Sequence, residues 1–265
     1  MSARSWLYVP GDQADKLARA SERGAEALII DLEDGVAPSA KARARQVVKG
    51  WIHQQDPQRG PERWARINGL GGPDSRLPAD DVAAVVHPAL SGICLPKCER
   101  LDQLTELDRL VDRAEWEAGL APGTVRVSAL IESGRGLAAS QTLAGGPRVE
   151  QLQLGEADLA ADVGLHPGPT ELELLPARWA VVLASATAGL DPPIGPVATD
   201  LGDPSALRRT TEALLRLGFG GRAAIHPDQI PVINEVFTPT AAEVEAAQVL
   251  VEGFESARAR GHGVI

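Results

Sequence analysis

Short runs of apolar and β-branched residues recur along the chain: SWLYV at 5–9, EALIIDL at 26–32, RWARIN at 63–68, SGICL at 91–95, VRVSALI at 125–131 and VEQLQL at 149–154. Between and after them, apolar positions return every three to four residues over 12–23, 39–53, 101–118, 171–189, 205–217 and 240–260. Period-two runs alternating with helical period predict βα units around a parallel sheet. Two weaker runs, PIGPVAT at 193–199 and RAAIH at 222–226, bring the strand count to eight, the number that closes a barrel. Ser39, Ser205 and Thr240 stand where helix caps belong, and Gly218 stands where the helix from 205 should stop. The predicted fold is therefore α/β, a (β/α)8 TIM barrel built as a single domain over 1–265, with a C-terminal helix over 240–260. An open doubly wound sheet shares this alternation and differs only in strand count and length.

A length of 265 residues suits one barrel domain. With 44% hydrophobic and 23% charged residues the chain has the composition of a folded globular protein. The net charge of -10, with no stretch that gathers lysine and arginine, argues against nucleic acid as a partner. It does not argue against an anionic substrate, because a few arginines and a divalent cation can make a local positive site. Cys94 and Cys98 lack a second pair to complete a zinc site, so they read as two reduced thiols. The N-terminal MSARSWLYVPGD has no signal-like apolar core, and no apolar run approaches the ~20 residues a bilayer span needs. No membrane partner is expected, and the cytoplasm is the expected location.

In a barrel, catalytic side chains gather where strands end. Those ends carry Asp31, Glu33 and Asp34 in DLED, then Arg66 and Asn68 in RIN, Lys97 in LPK, Glu132 in IES, Glu156 and Asp158 in GEAD, and His226 in IHP. Hard divalent cations prefer carboxylate oxygens, and Glu132 with Asp158, at the ends of neighbouring strands, suit one. The DLED acids are candidates for holding metal-bound waters. Taken singly, a glutamate such as Glu132 after an apolar strand is more often a helix cap or surface acid and Asp158 could simply cap the helix after GEAD, so only their joint placement favours a metal. Arg66, two residues after Trp64 on an alternating strand, should share a side with Trp64 and Asn68; there it could clamp a carboxylate, or equally pair with one of the chain's own acids. Lys97 is one of four lysines, the others being Lys16, Lys41 and Lys49 on helical stretches. It could form a Schiff base, but pairing with acids or anchoring a phosphate is favoured given the carboxylates nearby. His226 suits a structural hydrogen bond better than acid–base work. NGLGGPD at 68–74 and AGGP at 144–147 lack the spacing of a P-loop or dinucleotide fingerprint, so no nucleotide cofactor is indicated.

Seven segments in order, RSWLYVPGD (4–12), IIDLEDGV (29–36), ARINGLGG (65–72), LPK (95–97), ALIESGRG (129–136), GEADL (155–159) and GFGGRAAIHPDQIPVIN (218–234), resemble the citrate lyase beta-subunit-like group of the HpcH/HpaI aldolase superfamily, whose members include malyl-CoA and citramalyl-CoA lyases. The resemblance implies a (β/α)8 barrel, commonly a homotrimer or hexamer, that binds Mg2+ through Glu132 and Asp158. It implies that Arg66 holds the substrate carboxylate, that Glu33 and Asp34 lie around the metal's waters, and that Lys16 and Arg19 approach the phosphates of an acyl-CoA or acyl-carrier thioester. The implied reaction is cleavage or formation of a carbon–carbon bond in a β-hydroxyacyl thioester, giving a keto acid and a smaller thioester. Two departures stand out. GEADL replaces the group's usual GAEDL, which keeps Asp158 in register and leaves Glu156 without an expected role. Relatives also continue into a lid segment carrying an Asp that is the candidate acid/base, whereas this sequence stops at GHGVI. The lid is thus expected to be absent, so that either the chain is part of a longer one or another group moves the proton. Two competing readings remain: a Schiff-base aldolase acting through Lys97, and a non-catalytic subunit that binds an acyl thioester.

Overall fold

Eight strands pair in sequence order, each parallel to the next, and the last pairs with the first. The computed structural model describes residues 2–71 and 76–260; the GHGVI end and the later part of the NGLGGPD segment lie outside the described residues. The strands are β1 (Ser5–Pro10), β2 (Ala27–Asp31), β3 (Glu62–Arg66), β4 (Gly92–Leu95), β5 (Arg126–Ile131), β6 (Val149–Leu154), β7 (Ile194–Gly195) and β8 (Gly221–Ala224). Among the described residues the helices are α1 (Ala14–Ala20), α2 (Lys41–Ile52), α3 (Leu77–Val85), α4 (Leu101–Glu117), α5 (Gly134–Ala144), α6 (Glu156–Val163), α7 (Leu175–Ala188), α8 (Pro204–Leu217), α9 (Ile230–Val236) and α10 (Ala241–Ala259). The closed barrel is the predicted architecture, and the open doubly wound alternative falls.

Strand alternation sorts side chains into two layers. Leu7, Val9, Leu28, Ile30, Ile93, Leu95, Val127 and Leu152 face the helices, in one apolar layer with Leu17, Val48, Leu107 and Val181. Trp6, Ile29, Trp64, Cys94, Leu130, Ile194 and Ala223 fill the interior, with the Trp6 and Trp64 rings edge to face at 5.4 Å. One step along each strand from that interior layer come Tyr8, Asp31, Arg66, Glu132 and Gln153. Period two thus carries the lower core into the upper polar layer, where Asp31 and Arg66 are directly paired across β2 and β3.

Several local expectations change. β7 spans only Ile194–Gly195 rather than 193–199, because Pro193 and Pro196 flank it and neither can donate to a ladder. Thr240 caps α10 in a capping box with Glu243, and Gly218, at φ +101°, closes α8 in the left-handed conformation. Ser205 is not a cap: α8 begins a residue earlier at Pro204, and Asp203 accepts the Ala206 N–H at 2.9 Å. Ser39 lies inside a 3-10 turn, Pro38–Ala40, ahead of α2. Helical readings over 12–23 and 171–189 likewise break into α1 and a 3-10 turn, and a 3-10 turn and α7. Cys94 and Cys98 are free and buried, and burial pushes the Cys98 thiol up to about 12. Among the described residues no helix is long and apolar enough to cross a membrane.

Candidate active site

The DLED turn at the end of β2 is built around Asp31. Its Oδ1 accepts the Glu33 N–H at 2.9 Å and its Oδ2 the Gly35 N–H at 2.8 Å, so the loop folds back over the strand end. Lys41, at the start of α2, ties the same loop from outside, donating to the Leu32 carbonyl at 2.8 Å and the Glu33 carbonyl at 2.5 Å. Periodicity alone gave Lys41 only a place on a helix; nothing in that pattern points its ammonium at two carbonyls nine and eight residues back.

Arg66 crosses from β3 to Asp31 with a two-pronged grip, Nε to Oδ1 at 2.8 Å and Nη2 to Oδ2 at 2.6 Å. Nη1 approaches Glu33 Oε2 at 3.3 Å, and the guanidinium lies 4.9 Å over the Tyr8 ring. Burial works against its charge, but Asp31, Tyr8 and Glu33 outweigh that and hold it more firmly protonated than an ordinary arginine. Pairing with the chain's own acids is therefore real. It uses two of five donors, and Arg66 still lines the cavity described below. Asn68 does not share the side of Arg66. Beyond the end of β3 the chain turns outward, and the Asn68 amide donates to Leu32 O at 3.0 Å and to Asp81 of α3 at 2.6 Å.

Glu132 stands one residue past β5, 4% exposed, with Oε1 accepting the Lys97 backbone N–H at 2.7 Å. Lys97 reaches this position in the left-handed backbone region, φ +50°. Burial, reinforced by Glu33 and Asp158 and opposed by the Lys97 N–H, pushes the Glu132 carboxyl up to about 8. The Lys97 ammonium lies on Glu33, with Asp34 at 3.4 Å. Burial disfavours its charge, but Glu33 and Asp34 more than compensate and raise its pKa. Glu33 itself is shifted upward by burial, and its Oε2 has no hydrogen-bond partner among the described residues.

Asp158 sits not on a strand end but in the first turn of α6, exposed, with no capping bond to that helix. It shares with Arg66 and Glu132 a cavity of about 190 Å3, walled by Tyr8, Gln153 and Val197 among others. Glu156 borders the same cavity but is drawn aside by Arg178, which grips it at 2.5 and 2.8 Å and also holds Glu171 at 2.7 Å. His226 is not in this cavity: its Nδ1 accepts the Asp228 N–H at 3.3 Å, the structural role expected of it. It borders instead an adjoining groove of about 370 Å3, which also brings together Lys16, Arg19 and Arg23. The two spaces share Tyr8 and Ile225.

Three further side chains, Tyr8, Gln153 and Gln229, shape the site. Tyr8 and Gln153 were legible in principle, since alternation sets Tyr8 two places after the interior Trp6 and puts Gln151 and Gln153 on one side of β6. Gln229 was not: its Oε1 accepts the Ile225 and His226 N–H groups at 2.9 and 3.2 Å while its Nε2 donates to Ala198 O at 2.8 Å. That one amide links the ends of β7 and β8, where the two-residue strand supplies almost no ladder. Among the described residues no group of three or more His, Cys, Asp or Glu is arranged to enclose a metal, so any ion here would rest on two carboxylates plus other oxygens.

A closed parallel barrel with a buried carboxylate, a second acid and an arginine around one cavity at its C-terminal mouth is the arrangement of a barrel enzyme site. Residues 4–227 match the HpcH/HpaI aldolase/citrate lyase family, and the chain belongs to it. Over 263 residues it is 34% identical to the citrate lyase subunit beta of Leuconostoc mesenteroides subsp. cremoris, spanning 99% of this chain and 85% of that one. It is 33% identical to a (3S)-malyl-CoA thioesterase of Cereibacter sphaeroides, over 98% of this chain and 86% of that one. Among solved structures, RipC from Yersinia pestis superposes with a TM-score of 0.74 at 35% identity, over 92% of this chain and 98% of that one. The CitE protein of Mycobacterium tuberculosis, solved with magnesium, acetoacetate and coenzyme A, gives 0.78 at 26% identity, over 96% and 88%.

Proposed function

We propose that this chain is a magnesium-dependent carbon–carbon lyase of the aldol/Claisen type, which cleaves or forms a β-hydroxyacyl-CoA thioester such as citryl-, malyl- or citramalyl-CoA. The observation that carries this reading is one cavity lined by Arg66, Glu132 and Asp158, adjoining a groove lined by Lys16, Arg19 and Arg23. The M. tuberculosis complex with magnesium, acetoacetate and coenzyme A supports the same pairing of ion, keto acid and thioester carrier.

The donors fit a hard cation. Asp158 adds to the cost of ionising the buried Glu132, a cost that a bound cation would offset, and one Glu33 oxygen makes no hydrogen bond among the described residues. Gly155 leaves room beside them: a Cβ there would come within 2.7 Å of Glu132 Cβ and 2.9 Å of Glu132 Oε2. Bound by Glu132 and Asp158, Mg2+ would polarise the oxygens of the hydroxy or keto acid. The Lys97 N–H aims Glu132, and Lys97 with the DLED turn frames the site around Asp31, Glu33 and Asp34. Arg66, made rigid by Asp31, offers its remaining donors to the substrate carboxylate. Lys16 and Arg19 take the phosphates of the carrier. In cleavage, the substrate hydroxyl gives its proton to solvent water, its oxygen becomes the keto oxygen, the electron pair of the broken bond passes to the thioester fragment, and that fragment takes a proton from water at the same carbon to complete the smaller thioester. The reverse is a Claisen-type condensation.

Lys97 does not favour the Schiff-base alternative, because its amine is held as an ammonium by Glu33 and Asp34. A purely binding subunit would have no use for a buried carboxylate beside two other acids. We read the enzyme as a cytoplasmic homo-oligomer, a trimer or hexamer; the exposed Val244, Val249, Leu250, Val251 and Phe254 on α10 support self-association.

Product detection with citryl-, malyl- and citramalyl-CoA tests the reading. Activity is expected to vanish with EDTA and return with Mg2+, and borohydride with a keto acid should leave Lys97 unmodified; cleavage that survives chelation would overturn the metal. Gly155→Ala should weaken Mg2+ by about tenfold, since crowding of this kind costs ~1–3 kcal/mol. Titration calorimetry would read that change, and unchanged affinity would mean that Glu132 does not hold the ion.

A further inference from the structure

The cavity with Arg66 and Glu132 and the basic groove with Lys16 and Arg19 meet at two residues, and only one of these, Tyr8, is polar. On the thioester-lyase reading above, a substrate with its carboxylate in the first space and its carrier phosphates in the second must pass its thioester across that junction. We propose that the Tyr8 hydroxyl donates a hydrogen bond to the thioester carbonyl oxygen and stabilises the charge that gathers there as the carbon–carbon bond breaks.

The hydrogen bonds beneath Tyr8 set the direction of its proton. Gln153 Nε2 donates to the Tyr8 oxygen at 2.9 Å, while Gln153 Oε1 accepts from Cys94 Sγ at 3.5 Å. Burial holds the Cys94 thiol protonated, so it serves as the donor and fixes which end of the amide faces Tyr8. The Tyr8 oxygen therefore receives one hydrogen bond from below, and among the described residues none accepts its own proton. Burial also keeps the phenol neutral far above its ordinary range, and the Arg66 guanidinium pins the ring. A neutral donor fixed where the cavity meets the groove needs no reorganisation when charge develops.

In cleavage, the electron pair of the breaking bond moves to the carbon next to the thioester and is shared with the carbonyl oxygen. The substrate hydroxyl proton passes to solvent water as the keto group forms, and the enolate carbon then takes a proton from water to give the smaller thioester. Tyr8 keeps its proton throughout, and only its hydrogen bond strengthens, which places its contribution in the transition state rather than in binding.

The test uses whichever of the three CoA thioesters the wild type cleaves. Tyr8→Phe is expected to lower kcat about 100-fold, as loss of one oxyanion donor does, with KM changed by less than about threefold and Mg2+ affinity intact. Gln153→Glu supplies a carboxylate that takes the Tyr8 proton and turns it away, so it should lose activity to a similar degree. The double variant should then lose no more than Tyr8→Phe alone, a non-additivity that two independent packing defects would not give. Full kcat in Tyr8→Phe, or additive losses in the double variant, would overturn the inference while leaving the lyase reading in place. A wild type that cleaves none of the three thioesters would overturn the lyase reading, and the Tyr8 assignment with it.

Discussion

Replacing Glu132 with glutamine is expected to lower turnover about a thousandfold and to abolish Mg2+ binding in the accessible range. The lost ion–carboxylate interaction is worth several kcal/mol at the reacting oxygens, and about 4 kcal/mol corresponds to three decades of rate. The variant keeps the shape of the site, because a glutamine oxygen can still accept the Lys97 N–H that Glu132 accepts at 2.7 Å. The charge alone is removed. The pH dependence should separate the two proteins further. In the metal-free fold the Glu132 carboxyl is pushed up to about 8 from an ordinary 4.5, so between these values the folded chain holds a proton that the unfolded chain has released. Stability from this group is therefore complete below about 4.5 and is lost as pH rises through about 8, a fall of about 2.5 kcal/mol between pH 6 and 8.5. Denaturant unfolding in EDTA should show that slope in the wild type and lack it in Glu132→Gln. Mg2+ needs the ionised carboxylate, so its binding should strengthen with pH and release protons, measurable by calorimetry in two buffers. A glutamine variant that binds Mg2+ as the wild type does would sink the assignment.

The strand alternation carried most of the architecture and much of the mouth. Once Trp64 is interior, period two sends Arg66 into the site. Apolar runs ending in Asp31 and Glu132 bring both acids to the same end of the barrel. The failures have a common physical form. Asn68 follows the alternation on paper, but the strand ends at Arg66, and past that point the backbone turns to satisfy Asp81 instead. Asp158 was read onto a strand end, but β6 stops at Leu154 and Gly155 starts a helix, so the acid reaches the cavity from the first turn of α6. β7 could not be measured from its residues, because prolines on both sides end its pairing and the Gln229 amide holds the wall in its place. Gln229, Lys41 and the Lys97 backbone N–H act through particular hydrogen bonds that leave no periodic trace in the sequence.

Removing the Arg66 side chain is expected to have the largest effect on stability of any change at the site. Asp31 is 3% exposed, and its two oxygens are shared between the Arg66 guanidinium and the Glu33 and Gly35 N–H groups. Arg66→Ala strands that buried carboxylate and leaves Glu33 facing it without the intervening cation, a loss of about 3–5 kcal/mol. The DLED turn should loosen with it, since Asp31 both folds the turn and receives the arginine. Arg66→Lys separates the two roles of the residue. A lysine keeps the positive charge, so most of the stability should remain, but it cannot grip Asp31 with two parallel bonds and still present fixed donors to a substrate carboxylate. The lysine variant should therefore unfold within about 1–2 kcal/mol of the wild type while kcat/KM falls about 100-fold, with the loss shared between KM and kcat. Denaturant melts and steady-state kinetics on the same preparations decide the point. If Arg66→Lys retained full kcat/KM, the guanidinium would be only a strut for Asp31, and the substrate carboxylate would have to be held elsewhere in the cavity.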